Sequence, residues 1–312
     1  MRRSLLLTMA LLMGCGLPRG GSSETATPDL ETAAERVEDA IAADESCQDS
    51  IPFYWEIGDA DGPLASGRVG MAAEREDTMA IASATKWLYG AYVIETADDL
   101  DAARAYLNMT AGYSSLEYRS CRRLATVQDC WYAADNSEYS SDDAGKFHYA
   151  SGHFQKWAMD TGMGAMDNDA LGAAFTDVLG VEVAFNTPQL AAGAVMSAAA
   201  YAGFLQKILR GGLGIAQYLA QGAVCTLPSD CAQAEFSPAP AAWHYAWGHW
   251  IEDDPEGDGA YSSPGAFGFY PWITSDQTQY GLVARAELGL AEYVSSAQCG
   301  YALRRAWRGG EP

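Results

Sequence analysis

Strand-like segments at both ends of the chain, with helical segments between them, predict a mixed α/β protein. Its expected architecture is an antiparallel sheet built from two distant stretches, flanked by helices, with an all-helical lobe inserted at about residues 100–235. Two observations carry this. Ile51–Ile57 and Leu64–Met71 are apolar, β-prone runs separated by the turn Asp59-Ala-Asp-Gly-Pro63. The last third returns to the same character, whereas the middle is rich in alanine and helix-forming residues.

In chain order, Leu30–Ala43 reads as a surface helix with Val37 and Ile41 on one face. After the hairpin, Thr78–Glu95 reads as a short extended lead-in to an apolar helix that begins at Ser83. Ala103–Tyr113 is a helix end running into a glycine turn, and Ser114–Gly145 is loop-rich. Ala170–Leu179 and Ala191–Leu209 read as helices, the second closed by Gly211-Gly212. Cys225–Ala242, with its prolines, is a loop, and Trp243–Ile251 a single strand. Tyr261–Ile273 and Gln279–Arg285 form a hairpin around Thr274-Ser-Asp-Gln, and a last helix covers about Leu290–Trp307.

The chain has 312 residues, 49% of them hydrophobic and 19% charged, enough to bury a large core. Its formal net charge of −22 argues against nucleic-acid or anionic-membrane binding through a basic patch. The first residues have the form of an export signal, Arg2-Arg3 followed by the apolar run Leu5–Met13, too short for a comfortable membrane span. That run ends in Leu12-Met-Gly-Cys15, which resembles a bacterial lipobox, so Cys15 is the expected lipidation site and the lipid the only expected membrane contact. Secretion with cleavage elsewhere is the competing expectation. The expected organisation is therefore a signal peptide at 1–15, a tether and N-terminal helix at 16–46, and the enzyme-sized domain at 47–312.

Setting Cys15 aside, six of the seven cysteines remain, an even set that suggests disulfides in an exported protein. Cys121 with Cys130 and Cys225 with Cys231 are near enough in sequence to close small loops, and Cys47 with Cys299 would then tie the domain's two ends. No Cys-x-x-Cys spacing occurs, and His148/His153 and His244/His249 are each spaced by five, which suits neither one helix face nor one strand face. No metal or other cofactor is expected.

The chemistry points to Ser83-Ala-Thr-Lys86. A serine hydroxyl needs a base within hydrogen-bond reach, and a lysine one helical turn on serves if its ammonium is desolvated enough to lose the proton. A helix start adds free N–H groups for a developing oxyanion. An N-cap serine followed by a solvated lysine is the ordinary reading of such a pair. Against it, only Lys86 among the four lysines has serine three residues before it, and its neighbours Ile81, Trp87, Leu88 and Tyr89 are apolar.

Ser83-Ala-Thr-Lys86, Tyr149-Ala-Ser151 and Ser263-Pro-Gly265 resemble, in order and rough spacing, the three motifs of serine β-lactamases and penicillin-binding proteins. The form is closest to the class C-like group, which includes esterases and D-aminopeptidases. Tyr106–Gly112 is similar to that family's Leu-Leu-x-His-Thr-Ser-Gly turn, with Met109 in place of the histidine, and the resemblance spans about residues 48–308. It implies a β-lactamase/DD-peptidase-like fold, with Ser83 as the acylated nucleophile and Lys86 as its proton acceptor. Tyr149 would be an acid/base whose pKa Lys86 could lower, and Ser151 a partner of Lys86 or of the substrate amide. Ser263, Gly265 and Ala266 would make the third-motif wall, with the N–H groups of Ser83 and Ala266 as the oxyanion hole. Where penicillin-recognising members carry lysine or histidine, this chain has Ser263, which puts carboxylate-bearing β-lactams in doubt. The expected activity is a serine hydrolase acting on small esters, amides or peptides; the alternative is a silent relative that binds a peptide or cell-wall fragment.

Overall fold

A computed structural model describes residues 30–286 and 293–310; Cys15 and the expected leader lie outside the described residues. The chain runs from α1 (Leu30–Ala43) and α2 (Glu45–Asp49) into a hairpin of β1 (Phe53–Asp59) and β2 (Pro63–Val69). Then β3 (Thr78–Ala80) leads through a 3-10 turn at Ala82–Ala84 into α3 (Thr85–Thr96). The lobe comprises α4 (Leu100–Leu107), α5 (Val127–Trp131), β4 (Phe147–His148), α6 (Gly152–Asp160), α7 (Asn168–Leu179), β5 (Ala184–Phe185), β6 (Ala194–Ser197) and α8 (Ala198–Leu209). The return is made by β7 (Val224–Cys225), β8 (Ala234–Phe236), β9 (His244–Ala246), β10 (His249–Glu252), β11 (Ala260–Ser262), β12 (Tyr270–Ile273), β13 (Gln279–Ala284) and α9 (Tyr293–Trp307).

The main sheet has the order β2-β1-β13-β12-β11-β10-β9-β7, so the early hairpin is joined to the late strands through β1 and β13, with Trp55 opposite Val283. Alternation along β1 divides the core between the two faces of the sheet. Phe53, Trp55 and Ile57 pack with α1 and α9, whereas Tyr54 belongs to the larger cluster beneath α3 and α8. Glu56, on that second face and fully buried, accepts hydrogen bonds from Tyr54 and Tyr280 Oη and from Arg75 Nε, each at 2.6 Å. A buried carboxylate is tolerable only with partners of this kind.

Helix α1 is no mere surface helix: Ala33, Val37, Ala40 and Ile41 are buried, and Arg36 donates to Ala306 O and Trp307 O at the end of α9. The packed layer therefore starts before Cys47. All three anticipated cysteine pairs are disulfides: Cys47–Cys299, Cys121–Cys130 and Cys225–Cys231. No helix among the described residues is long and apolar enough to cross a membrane.

Three local expectations change. Residues 191–197 are not helical, because β6 is the centre of a small sheet, β3-β6-β5; α8 begins only after Ser197, whose side chain accepts from Ala200 N. The lobe is thus largely rather than wholly helical, and its β4 pairs in parallel with β8 of the returning segment. Trp243–Ile251 is two strands, β9 and β10, joined by a tight turn in which Trp247 and Gly248 both take positive φ, 47° and 92°. Asn108 Oδ1 holds the Trp247 N–H at 2.8 Å, a long-range contact that local pattern cannot show. A Cβ on Gly248 would lie 2.3 Å from Lys86 O, so glycine is what lets this turn approach α3.

Candidate active site

The nucleophile candidate sits in the 3-10 turn that opens α3. Ala82, just before it, holds φ at 45°, a conformation costly for a side chain with a Cβ and common where a reactive residue is displayed. Lys86 Nζ, one turn on, donates to Ser83 Oγ at 2.9 Å and to Ala191 O at 3.0 Å. Lys86 is only 2% exposed, and burial lowers its ammonium from the ordinary value to about 7. It is therefore poised as a neutral amine near neutral pH. If Lys86 is the base, kcat/KM on an ester should rise about tenfold per pH unit below about 7 and level off above it. A flat pH–rate profile from 5 to 9 would contradict that role.

Tyr149 lies beside this pair, with Lys86 Nζ 4.8 Å from its ring centroid. Its ring stacks on Trp250 at 5.2 Å. Burial pushes its hydroxyl up to about 12, against the weaker opposite pull of hydrogen bonds with Ser83 and Trp250. The lowered tyrosine pKa that the resemblance suggested is thus reversed, because desolvation outweighs the pull of those hydrogen bonds. Burial keeps the Tyr149 hydroxyl protonated near neutral pH.

The third wall comes from the turn after β11. Gly265 packs so tightly on the segment before Ser83 that a Cβ would lie 2.1 Å from Ile81 O. Its N–H is used by Phe269 O at 2.8 Å. Among the described residues, neither Ser83 N–H nor Ala266 N–H has a protein acceptor, which leaves both for a substrate oxygen.

Two of the expected binding residues are placed differently. Ser263 is buried, and its hydroxyl donates to Ser83 O at 3.1 Å, so it ties the turn to the nucleophile rather than facing substrate. Ser151 is the residue before α6 and does not line the cavity, and the contacts of Lys86 Nζ are with Ser83 Oγ and Ala191 O. Arg285 packs behind Gly268, with Nη1 3.3 Å from Ser295 Oγ.

Sequence reading missed the residues that hold Lys86 in place. Gln155, buried on α6, donates to Val127 O at 3.1 Å and Pro188 O at 2.8 Å and accepts from Leu190 N at 3.3 Å, fixing the loop that presents Ala191 O. Trp250 was visible only as one more strand aromatic. His153 and His249 are structural, each buried with Nε2 against a backbone oxygen, His148 O at 3.1 Å and Leu219 O at 2.8 Å. A cavity of about 550 Å³ opens over Ser83, Tyr149 and Ala266.

No family model matches the sequence, and no curated protein matches it. Solved structures do match the fold. A putative β-lactamase from Bacteroides dorei DSM 17855 aligns over 87% of this chain and 98% of its own, at 17% identity and a TM-score of 0.64. EstCE1, described as a hydrolase with promiscuous acyltransferase activity, aligns over 89% and 99%, at 13% identity and 0.61. A D-stereospecific amidohydrolase from Streptomyces sp. aligns over 88% and 99%, at 14% identity and 0.58. The chain has the β-lactamase-like fold of these proteins, an antiparallel sheet flanked by helices with a lobe inserted.

Proposed function

We propose that this chain is a serine hydrolase that cleaves small esters or amides through an acyl-enzyme on Ser83. The observation that carries the reading is the buried Lys86 Nζ 2.9 Å from Ser83 Oγ, with its ammonium lowered to about 7. The fold, shared with proteins described as a hydrolase and an amidohydrolase, supports it.

Lys86 takes the hydroxyl proton as Ser83 Oγ bonds to the substrate carbonyl carbon. The oxyanion is held by the N–H groups of Ser83 and Ala266. As the carbon–oxygen or carbon–nitrogen bond breaks, the leaving group takes a proton relayed through Tyr149 from Lys86. Water then attacks the acyl-enzyme by the reverse relay, and the acid is released. The net change is one ester or amide plus one water giving an acid plus an alcohol or amine.

A fluorophosphonate should add one covalent label to the folded protein, and Ser83→Ala should remove it; intact mass reads both. Folded wild type that takes no label would favour the silent binding protein. With Ser263 buried in place of the third-motif cation, a nitrophenyl ester should show a higher kcat/KM than nitrocefin, and the reverse order would overturn the carboxylate argument. Export, and anchoring through Cys15, belong to this reading; the three disulfides support export.

A further inference from the structure

The described residues lining the Ser83 cavity divide into two kinds. Near the nucleophile the wall is aromatic and uncharged: Tyr149 stacks on Trp250 at 5.2 Å, and Trp250 meets the edge of Trp243 at 6.1 Å. Beyond Trp243 the wall becomes acidic. The Trp243 indole N–H donates to Asp254 Oδ1 at 2.9 Å, and Glu256 N–H donates to Asp254 Oδ2 at 3.3 Å, so this carboxylate is oriented by the wall itself. Glu256 and Asp44 also line the cavity.

Two other charged groups line it and are already engaged. Glu252 accepts from Arg304 Nη2 at 2.7 Å and Tyr270 Oη at 2.6 Å, and so serves the structure. Arg305, the cation among the described lining residues, has its guanidinium 5.6 Å from the Tyr301 ring. With Glu252 matched to Arg304, and Asp44 capping α2 by accepting from Ser46 N–H at 2.9 Å and Cys47 N–H at 3.2 Å, the carboxylates of Asp254 and Glu256 remain beside one guanidinium. The side of the site where penicillin-recognising proteins would carry a cation has the buried Ser263 instead.

We propose, on the basis of the acyl-transfer reading above, that the cavity selects esters or amides whose acyl chain ends in a cationic amine. The reacting carbonyl sits at Ser83 and the cation reaches Asp254 across the Trp250–Trp243 wall. Indole and phenol faces attract a cation, and a fixed carboxylate at the end of the aromatic run completes its recognition. A carboxylate-ended substrate meets the opposite field at the same place.

The test is a matched set of nitrophenyl esters long enough to pass two aromatic rings: 8-(trimethylammonio)octanoate, its uncharged isostere 9,9-dimethyldecanoate, and the azelate monoester. The cationic ester should exceed its isostere in kcat/KM by roughly ten- to a hundredfold. The azelate ester should fall below the isostere. Asp254→Asn should bring the cation-to-isostere ratio most of the way towards one, and the more exposed Glu256→Gln part of the way. Each variant changes a net charge of −22 by one, so a large change in the ratio cannot come from the overall field. A ratio near or below one in wild type, with Ser83-dependent turnover of the isostere intact, overturns this inference alone. So does a ratio above one that neither variant moves. Failure of every ester together with absent fluorophosphonate labelling overturns the acyl-transfer reading, and this inference with it.

Discussion

Replacing Lys86 by methionine is expected to lower kcat/KM on a nitrophenyl ester by about a thousandfold or more. The same substitution should leave the protein at least as stable as wild type. The first expectation follows from removing the only described side-chain base that touches Ser83 Oγ, since general bases and activated nucleophiles contribute effects of that order. The second follows from burial. Lys86 is 2% exposed, and a methionine fills similar space without an amine to desolvate. The pH dependence makes the stability test sharp. The folded amine titrates near 7, well below the ordinary value of an unfolded lysine, so between the two only the unfolded chain holds the proton. Wild-type stability from this group therefore rises with pH across that window. The advantage of Lys86→Met should grow as pH falls from about 10 to 7 and level off below. Chemical denaturation at several pH values reads it, and activity within tenfold of wild type would remove Lys86 from the mechanism.

The largest stability effect should come from Arg304→Ala. On α9, Arg304 donates through Nε to Asp258 at 2.6 Å, through Nη2 to Glu252 at 2.7 Å and through Nη1 to Tyr270 Oη at 2.9 Å. Arg304 is 2% exposed and Glu252 3%. Alanine would leave two carboxylates without their cation, one of them deep in the fold, at a cost of about 3–5 kcal/mol. For a chain of this size that is a fall in Tm on the order of ten degrees. Arg304→Lys should recover only part of it, because one ammonium cannot reproduce the forked contacts. A loss under about 1 kcal/mol would mean that the network behaves like an exposed ion pair.

What the sequence disclosed follows the range of the interactions involved. The hairpin around Asp59–Pro63, helix α7 and the Ser83–Lys86 turn are specified by turn residues, periodicity and three-residue spacing, all local. The 191–197 segment misled because alanine is a good helix former, whereas its conformation is set by pairing with β3, more than a hundred residues earlier. The β9–β10 turn was hidden for a similar reason: a tryptophan with positive φ is held by Asn108 from another element. At the site, the nucleophile and its amine were legible. Ala191 O and Gln155 were not, because a backbone carbonyl carries no residue signature and a buried glutamine looks like any polar helix position. Ser263 was placed by motif order but not by exposure, and exposure is what decides whether it can touch a substrate.

The bond between Cys47 and Cys299 turns most of the polypeptide into a closed covalent ring that carries two tails. Every catalytic candidate, from Ser83 to Ala266, lies on that ring. A single protease cut within it, in the lobe's loops for example, opens the ring without dividing the molecule, and two cuts are needed to shed a piece. Secreted proteases act on exposed loops one cut at a time. This connectivity would let a nicked molecule keep its sheet edge and its nucleophile joined, and electrophoresis of a nicked sample with and without reductant would show it as one band or two.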